Sequence, residues 1–275
     1  MNNIVNKEWL LENLNENHVR IVDCRFSLAH PETGKQDYEK SHLPGAVYFD
    51  LEADLSGKVS VHGGRHPLPA IEELVTQLEN AGIGENTVIV AYDNGEGAFA
   101  ARFWWLLKYL GHEKVSVLNG GFKEWKEGNY PLSADVPSFE KTNFKINLNR
   151  QILATIEEVK EIVKNRQEDS ILIDSREENR YLGIEEPIDK KAGHIPGAIN
   201  KPWFEGLNDG VYKSKSEQKL RFSDIDPEKQ LIVYCGSGVT AVPNFLALIE
   251  AGFEKVQLYL GSFSDWISYE GNEIE

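Results

Sequence analysis

The strongest constraint on the fold of this 275-residue chain is that it repeats itself. "VRIVDCRFS" at 19–27 returns as "SILIDSREE" at 170–178, and "SHLPGAVYFD" at 41–50 returns as "GHIPGAINKP" at 193–202. The long block 88–125, ending "NGGFKEW", returns as 231–266, ending "LGSFSDW". The blocks keep their order, and the period is far too long for a solenoid. The repeat therefore predicts two homologous domains of about 130 residues each, an ordinary size for a folding unit. We place them at residues 1–136 and 153–275, joined by a linker at 137–152. The segment "VPSFEKTNFKINLNRQI" at 136–152 is polar, contains Pro137 and follows the end of the first repeat.

Within each half, short β-branched runs alternate with helical patterns. Ile21–Val22, Val88–Ala91, Val115–Leu118, Ile171–Ile173, Leu231–Tyr234 and Val256–Leu258 read as strands. They are apolar with little polar alternation, as strands buried on both faces are. "FAARFWWLLKYLG" and "VPNFLALIEAG" read as helices, each stopped by a glycine, Gly111 and Gly252. The alternation predicts an α/β fold in which each domain has a mainly parallel central sheet flanked by helices.

Against that frame, "LIVYCGSGVT" at 231–240 stands out, because it holds one of only two cysteines. Cys235 ends a strand, where functional loops of such sheets lie. Gly236, Ser237, Gly238 and Val239 follow, and glycine permits the positive φ at which successive N–H groups turn inward as a nest. A helix beginning near Val239 or Thr240 adds partial positive charge. Both effects favour a thiolate, so the loop predicts an accessible, reactive Cys235. The alternative is a small buried hydrophobe at a plain strand-to-helix turn. The first half tips the balance: "VAYDNGEGAFAA" keeps the loop but has Asp93 in the place of Cys235, which predicts one active and one inactive copy.

Other chemistries fit less well. Two isolated cysteines do not make a zinc site, and no Gly-Lys-Ser/Thr follows the glycines to make a Walker loop. A cysteine phosphatase would need an arginine six residues beyond the nucleophile, where Ala241 stands. With 44 acidic against 29 basic residues, a net charge of −15, the surface is unsuited to nucleic acid or an anionic membrane. The N-terminus has no basic start leading into an apolar core, and no apolar run approaches a membrane span. Cys24 and Cys235 form no disulfide framework, which points to a reducing cytoplasm.

Taken together, the "DCR" and "DSR" motifs, "HLPGA" and "HIPGA", "CGSGVT", and the "GGFKEW" and "GSFSDW" ends resemble the two-domain rhodanese-type sulfurtransferases, the thiosulfate and 3-mercaptopyruvate sulfurtransferases. The resemblance covers nearly the whole chain. It implies a catalytic second domain, a degenerate first one and a site in the cleft between them. Cys235 would accept sulfur as a persulfide and pass it to cyanide, a thiol or a thioredoxin-like protein, without metal or organic cofactor. Loops reading Cys-Gly-Ser-Gly-Val are associated in this family with mercaptopyruvate, and loops with basic residues after the cysteine with thiosulfate. The neutral loop here implies mercaptopyruvate.

The resemblance also marks further residues. Arg176 and Arg180 in "DSREENRYLGIEEP" occupy positions used for substrate binding, and the loop residues Gly236, Gly238, Val239 and Thr240 line the same site, with Thr240 able to cap the helix. The bland reading of Arg176 is a local partner for Asp174. Ser237 matches a serine proposed to act with a histidine and an acid from the first half; "YFDLEADLSGKVSVHGGRHPLP" offers His66, with Asp50 or Glu52 as the acid. Arg65 could add positive potential, while "GRHPLP" could equally be a packing turn. His42, His194, Asp23 and Asp174 recur in both halves and read as architectural. Val242 stands where relatives often carry a second cysteine, which weakens any disulfide regulation. A non-catalytic binding module of the same fold remains the alternative to an enzyme.

Overall fold

A computed structural model describes residues 1–275. In the first half, β1 (Ile4–Val5), α1 (Lys7–Asn13), β2 (Val19–Asp23), α2 (Glu32–Lys40), β3 (Ala46–Tyr48), α3 (Ile71–Asn80), β4 (Val88–Tyr92), α4 (Ala98–Tyr109), β5 (Val115–Leu118) and α5 (Gly121–Glu127) follow in order. Their five strands form one sheet in the order β1-β5-β4-β2-β3, parallel throughout. The second half continues with β6 (Leu153–Ala154), α6 (Ile156–Asn165), β7 (Ser170–Asp174), α7 (Glu178–Tyr181), β8 (Ile199–Asn200), β9 (Leu207–Asn208), β10 (Val211–Tyr212), α8 (Lys215–Arg221), β11 (Gln230–Tyr234), α9 (Ala241–Ala251), β12 (Val256–Tyr259) and α10 (Ser262–Trp266). Its main sheet has the order β6-β12-β11-β7-β8, the same topology as the first, again wholly parallel.

Every strand read from the sequence lies in one of these sheets. The two-residue strands β1, β6 and β8 and the three-residue β3 were not legible, because so short a run carries no period. Central strands are buried on both faces: Ile89 to Tyr92 and Leu231 to Tyr234 are essentially inaccessible. Gly111 and Gly252 terminate α4 and α9 at φ +86° and +97°, conformations that L side chains rarely adopt.

Packing divides the chain differently from the repeat boundaries. One compact unit comprises Met1–Gly57, Pro69–Asn149 and Asp209–Val211; the other comprises Lys58–Leu68, Arg150–Asn208 and Tyr212–Glu275. Most of the segment read as a linker is thus held by the first unit. Asn147 and Asn149 donate their N–H groups to Leu110 and Tyr109 carbonyls at 2.9 and 2.8 Å, and Phe144 is buried. Residues 58–68, read as part of the first domain, pack with the second.

The topology locates the functional end of the second sheet. From β7 the chain leaves toward β8, and from β11 toward β12 on the other side. Connections that part in this way open a crevice at the carboxyl ends of the two strands. Cys235 follows β11 at that crevice, and Ser175 and Arg176 follow β7.

Candidate active site

The Cys235 loop is built by close packing more than by glycine flexibility. Only Gly238 of its two glycines has positive φ, +75°. Its N–H donates to Cys235 Sγ at 3.2 Å, and a Cβ there would collide with the Leu260 carbonyl oxygen. Gly236 lies under two guanidinium groups: a Cβ would stand 2.8 Å from Arg65 Nη2 and 3.4 Å from Arg180 Nη2, the mobile ends of long side chains. Gly238→Ala combines a strained φ with a backbone clash, so we expect a loss of about 2 kcal/mol or more in urea unfolding, together with loss of whatever chemistry Cys235 performs.

A second turn supports the first. Phe263 and Ser264 donate their N–H groups to the Cys235 and Gly236 carbonyls, both at 2.9 Å. Ser262 accepts the Cys235 N–H on Oγ at 3.1 Å, gives its own proton to the Tyr259 carbonyl at 2.9 Å, and lies 3.9 Å from Sγ. Ser262 has φ +56°, where the first half has Gly121 at φ +55°. A serine held in a glycine conformation costs roughly 1 kcal/mol, and such outliers mark functional ground. Ser262 was missed in the sequence, although the change from "GGF" to "GSF" between the halves was its signal.

The first unit shows what the loop is shaped to hold. There Asp93 accepts N–H groups from Gly95 and Gly97 on one carboxylate oxygen, at 3.0 and 2.9 Å, and from Phe99 and Ala100 on the other, both at 3.1 Å. Burial pushes this carboxyl above its ordinary range, and the four N–H groups pull against that. The loop is an anion nest, in the first half filled by a side chain of the loop itself.

Contrary to the expectation of an accessible thiol, Cys235 is only 1 % exposed, because the loop and its neighbours close over it. Cys24 and Cys235 are both free thiols. Thr240 offers no side-chain cap to α9, contrary to the expected capping role, and stays partly exposed, whereas the Val239 side chain is buried in the core. His66 and Ser237 do meet: Nδ1 and Oγ share a hydrogen bond of 2.9 Å, and both residues are buried. Residues 62–65 hold His66 in place. Gly63 N–H donates to Asp265 at 2.7 Å, Arg65 N–H to Ser264 Oγ at 3.2 Å, and His62 stacks on Tyr269 with ring centres 4.0 Å apart. Asp50 spends its carboxylate within its own turn, accepting from Tyr48 Oη and from the N–H groups of Glu52 and Ala53 at 2.9–3.1 Å.

The two arginines of "DSREENR" part company. Arg176 is 1 % exposed and makes a fork with Asp174, a bond to Glu186 at 3.1 Å and one to the Gly193 carbonyl at 2.7 Å, with its guanidinium over Phe263. Burial works to lower its pKa, but the Asp174 carboxylate outweighs burial and the net direction is upward. Arg25 repeats the fork with Asp23 and the stacking on Phe122 in the first half. The first half, where Asp93 replaces the loop cysteine, thus keeps the fork and the stacking, and Arg176 spends its guanidinium on Asp174, Glu186 and the Gly193 carbonyl, the arrangement of a scaffold residue rather than of the expected substrate ligand. His42 and His194 are scaffold in the same way: each donates Nδ1–H to the carbonyl of the tyrosine it stacks on, Tyr38 at 2.6 Å and Tyr181 at 2.8 Å. Arg180, by contrast, reaches the mouth of the loop, where it meets Glu186 at 2.8 Å and Asp189 at 3.0 Å.

Comparison with known proteins bears on this arrangement. The rhodanese-like domain model matches twice, at residues 6–128 and 155–269. The chain is 39 % identical over 274 residues to a probable 3-mercaptopyruvate sulfurtransferase of Pseudomonas aeruginosa, covering 96 % of this chain and 95 % of that one. It is 34 % identical over 277 residues to the thiosulfate sulfurtransferase of Rattus norvegicus, covering 96 % and 91 %. Among solved structures, SseA from Escherichia coli, a rhodanese-fold 3-mercaptopyruvate enzyme, superposes with a TM-score of 0.85 at 31 % identity, over 96 % of this chain and all of that one. A doubled sheet of one topology, a cysteine cradled in one copy and these likenesses lead to one conclusion: the chain belongs to the rhodanese-like family, among its tandem-domain sulfurtransferases.

Proposed function

We propose that Cys235 carries the sulfur, taken from 3-mercaptopyruvate in preference to thiosulfate. The observation that supports this most is the Gly238 N–H on Sγ, in a loop whose twin gathers four N–H groups around the Asp93 carboxylate. The Cys235 thiolate attacks the donor sulfur and forms an S–S bond. The C–S bond breaks, its electron pair passes to the methylene carbon as an enolate, and one proton completes pyruvate. An acceptor thiolate then attacks the outer sulfur, leaves as a persulfide and restores the Cys235 thiolate. Splitting the transfer in this way is ordinary covalent catalysis.

Ser237, backed by His66 at 2.9 Å, is the group placed to hand that proton to the enolate. Thiosulfate leaves as sulfite and has no such need. Ser237→Ala should therefore cost about 10²-fold in kcat/KM with mercaptopyruvate and far less with thiosulfate, compared in one assay with cyanide as acceptor. Equal losses with both donors would remove the proton role. The loop has no cation of its own, which disfavours a dianionic donor; wild-type kcat/KM for the two donors tests this directly, and a large thiosulfate preference would overturn the donor assignment. Gain of one sulfur atom by mass, mapped to Cys235, tests the persulfide.

No helix is long and apolar enough to cross a membrane. We place the enzyme in the cytoplasm, where reduced thiols and thioredoxin-like proteins would serve as acceptors.

A further inference from the structure

Above Gly236 lies a knot of four charges. Arg180 Nη2 donates to Glu186 Oε1 at 2.8 Å and to Asp189 Oδ2 at 3.0 Å, and Arg65 Nη1 is bonded to Asp189 Oδ1. The Asp189 carboxylate thus bridges two guanidinium groups. One of its oxygens lies 3.5 Å from where a Gly236 Cβ would stand, one residue from the nucleophile. Its side chain is 2 % exposed, although Ile184 and Ile188 in the same irregular segment are 66 % and 55 % exposed. The segment is therefore pinned by polar contacts rather than by buried apolar surface, so its hold depends on the ion pairs of Glu186 and Asp189. Meanwhile Cys235, which must meet a substrate, is closed off.

We propose that Asp189 is a tethered carboxylate occupying the seat of the donor's carboxylate between Arg65 and Arg180, and that the donor enters by displacing it. This makes Arg65 a substrate-binding residue alongside Arg180. It rests on the reading above only for the identity of the donor.

The chemistry of the seat supports the exchange. Two guanidinium groups facing one carboxylate are the usual receptor for a carboxylate ligand. Glu186 is the permanent partner: burial pushes its carboxyl up, but Arg180 and the N–H groups of Asp189 and Ile188 outweigh that and hold it below its ordinary range. Asp189 is the looser one. Burial pushes its carboxyl up, Glu186 adds to that, and Arg65 and Arg180 do not fully offset it. With Asp189 swung out, Arg65 and Arg180 lose the carboxylate they share, while Arg180 keeps Glu186 at 2.8 Å and the exposed Glu177 at 3.8 Å, so the vacated seat presents two guanidinium groups to an entering anion.

The test is binding of pyruvate, which has the carboxylate and ketone of the donor but no sulfur, measured by calorimetry alongside mercaptopyruvate kinetics. A closed seat lowers apparent affinity by the fraction of molecules that are open. Asp189→Asn should therefore tighten pyruvate by about fivefold or more and lower KM for mercaptopyruvate by a similar factor, with kcat within about twofold. Arg65→Gln should weaken pyruvate by about tenfold. Asp189→Ser carries the same test should the asparagine variant fold poorly. Unchanged or weaker pyruvate binding on removal of the Asp189 charge overturns the proposal, the weaker result meaning that Asp189 merely arranges the arginines. Pyruvate binding needs no sulfur chemistry, so tightening in a protein that forms no persulfide would leave the seat standing and sink the donor reading instead.

Discussion

Cys235→Ser should abolish sulfur transfer, by roughly a thousandfold or more in kcat/KM with either donor, while leaving the melting temperature within a few degrees of wild type. A serine hydroxyl fills nearly the same space and still accepts the Gly238 N–H, so the loop keeps its packing. What it loses is a nucleophile able to hold a second sulfur. Cys24→Ser is the matched control and should be silent in the assay. Cys24 is equally buried, but burial and the nearby carboxylates of Asp23, Asp93 and Asp54 push its thiol well above the ordinary range. It stays protonated and inert at neutral pH. Persulfide sulfur recovered on Cys24, or turnover surviving in the Cys235→Ser enzyme, would remove the central claim.

The second large effect falls on stability. Arg176→Met should cost about 3–5 kcal/mol in urea unfolding, because it strands the buried Asp174 carboxylate without its partner. The Gly193 carbonyl and Glu186 lose a donor in the same step. KM for mercaptopyruvate in the folded enzyme should hardly move. Arg180→Met is the contrast: its guanidinium is partly exposed at the loop mouth, so stability should fall by about 1 kcal/mol and KM should rise tenfold or more. If the two variants exchanged roles, with KM following Arg176, the assignment of the "DSR" arginine to the scaffold would be wrong.

These two arginines also show where sequence reasoning loses resolution. They sit four positions apart in one motif, and residue type and spacing treat them alike. Comparison of the halves carried the discriminating signal, since Arg25 has a counterpart in Arg176 and Arg180 has none. The same comparison separates Gly121 from Ser262. The loop's accessibility was misjudged for a related reason: a glycine-rich turn looks open in a string of letters. In the fold, Leu260, Arg65 and Arg180, from other parts of the chain, pack against its two glycines, and Cys235 is left 1 % exposed.

The sequence by itself determined the doubling, the parallel α/β sheets, the position of Cys235 at a strand end and the loss of its counterpart to Asp93. These follow from local hydrophobic periodicity and from a repeat, both written along the chain. Only the tertiary structure decided that residues 58–68 pack with the second unit and bring His66 to Ser237. It also decided that Arg176 is consumed by Asp174, and that Asp189 is seated between Arg65 and Arg180. Each of those is a pairing of charges or hydrogen-bonding groups, and such groups bond with whatever partner folding brings within about 3 Å, however far away in sequence.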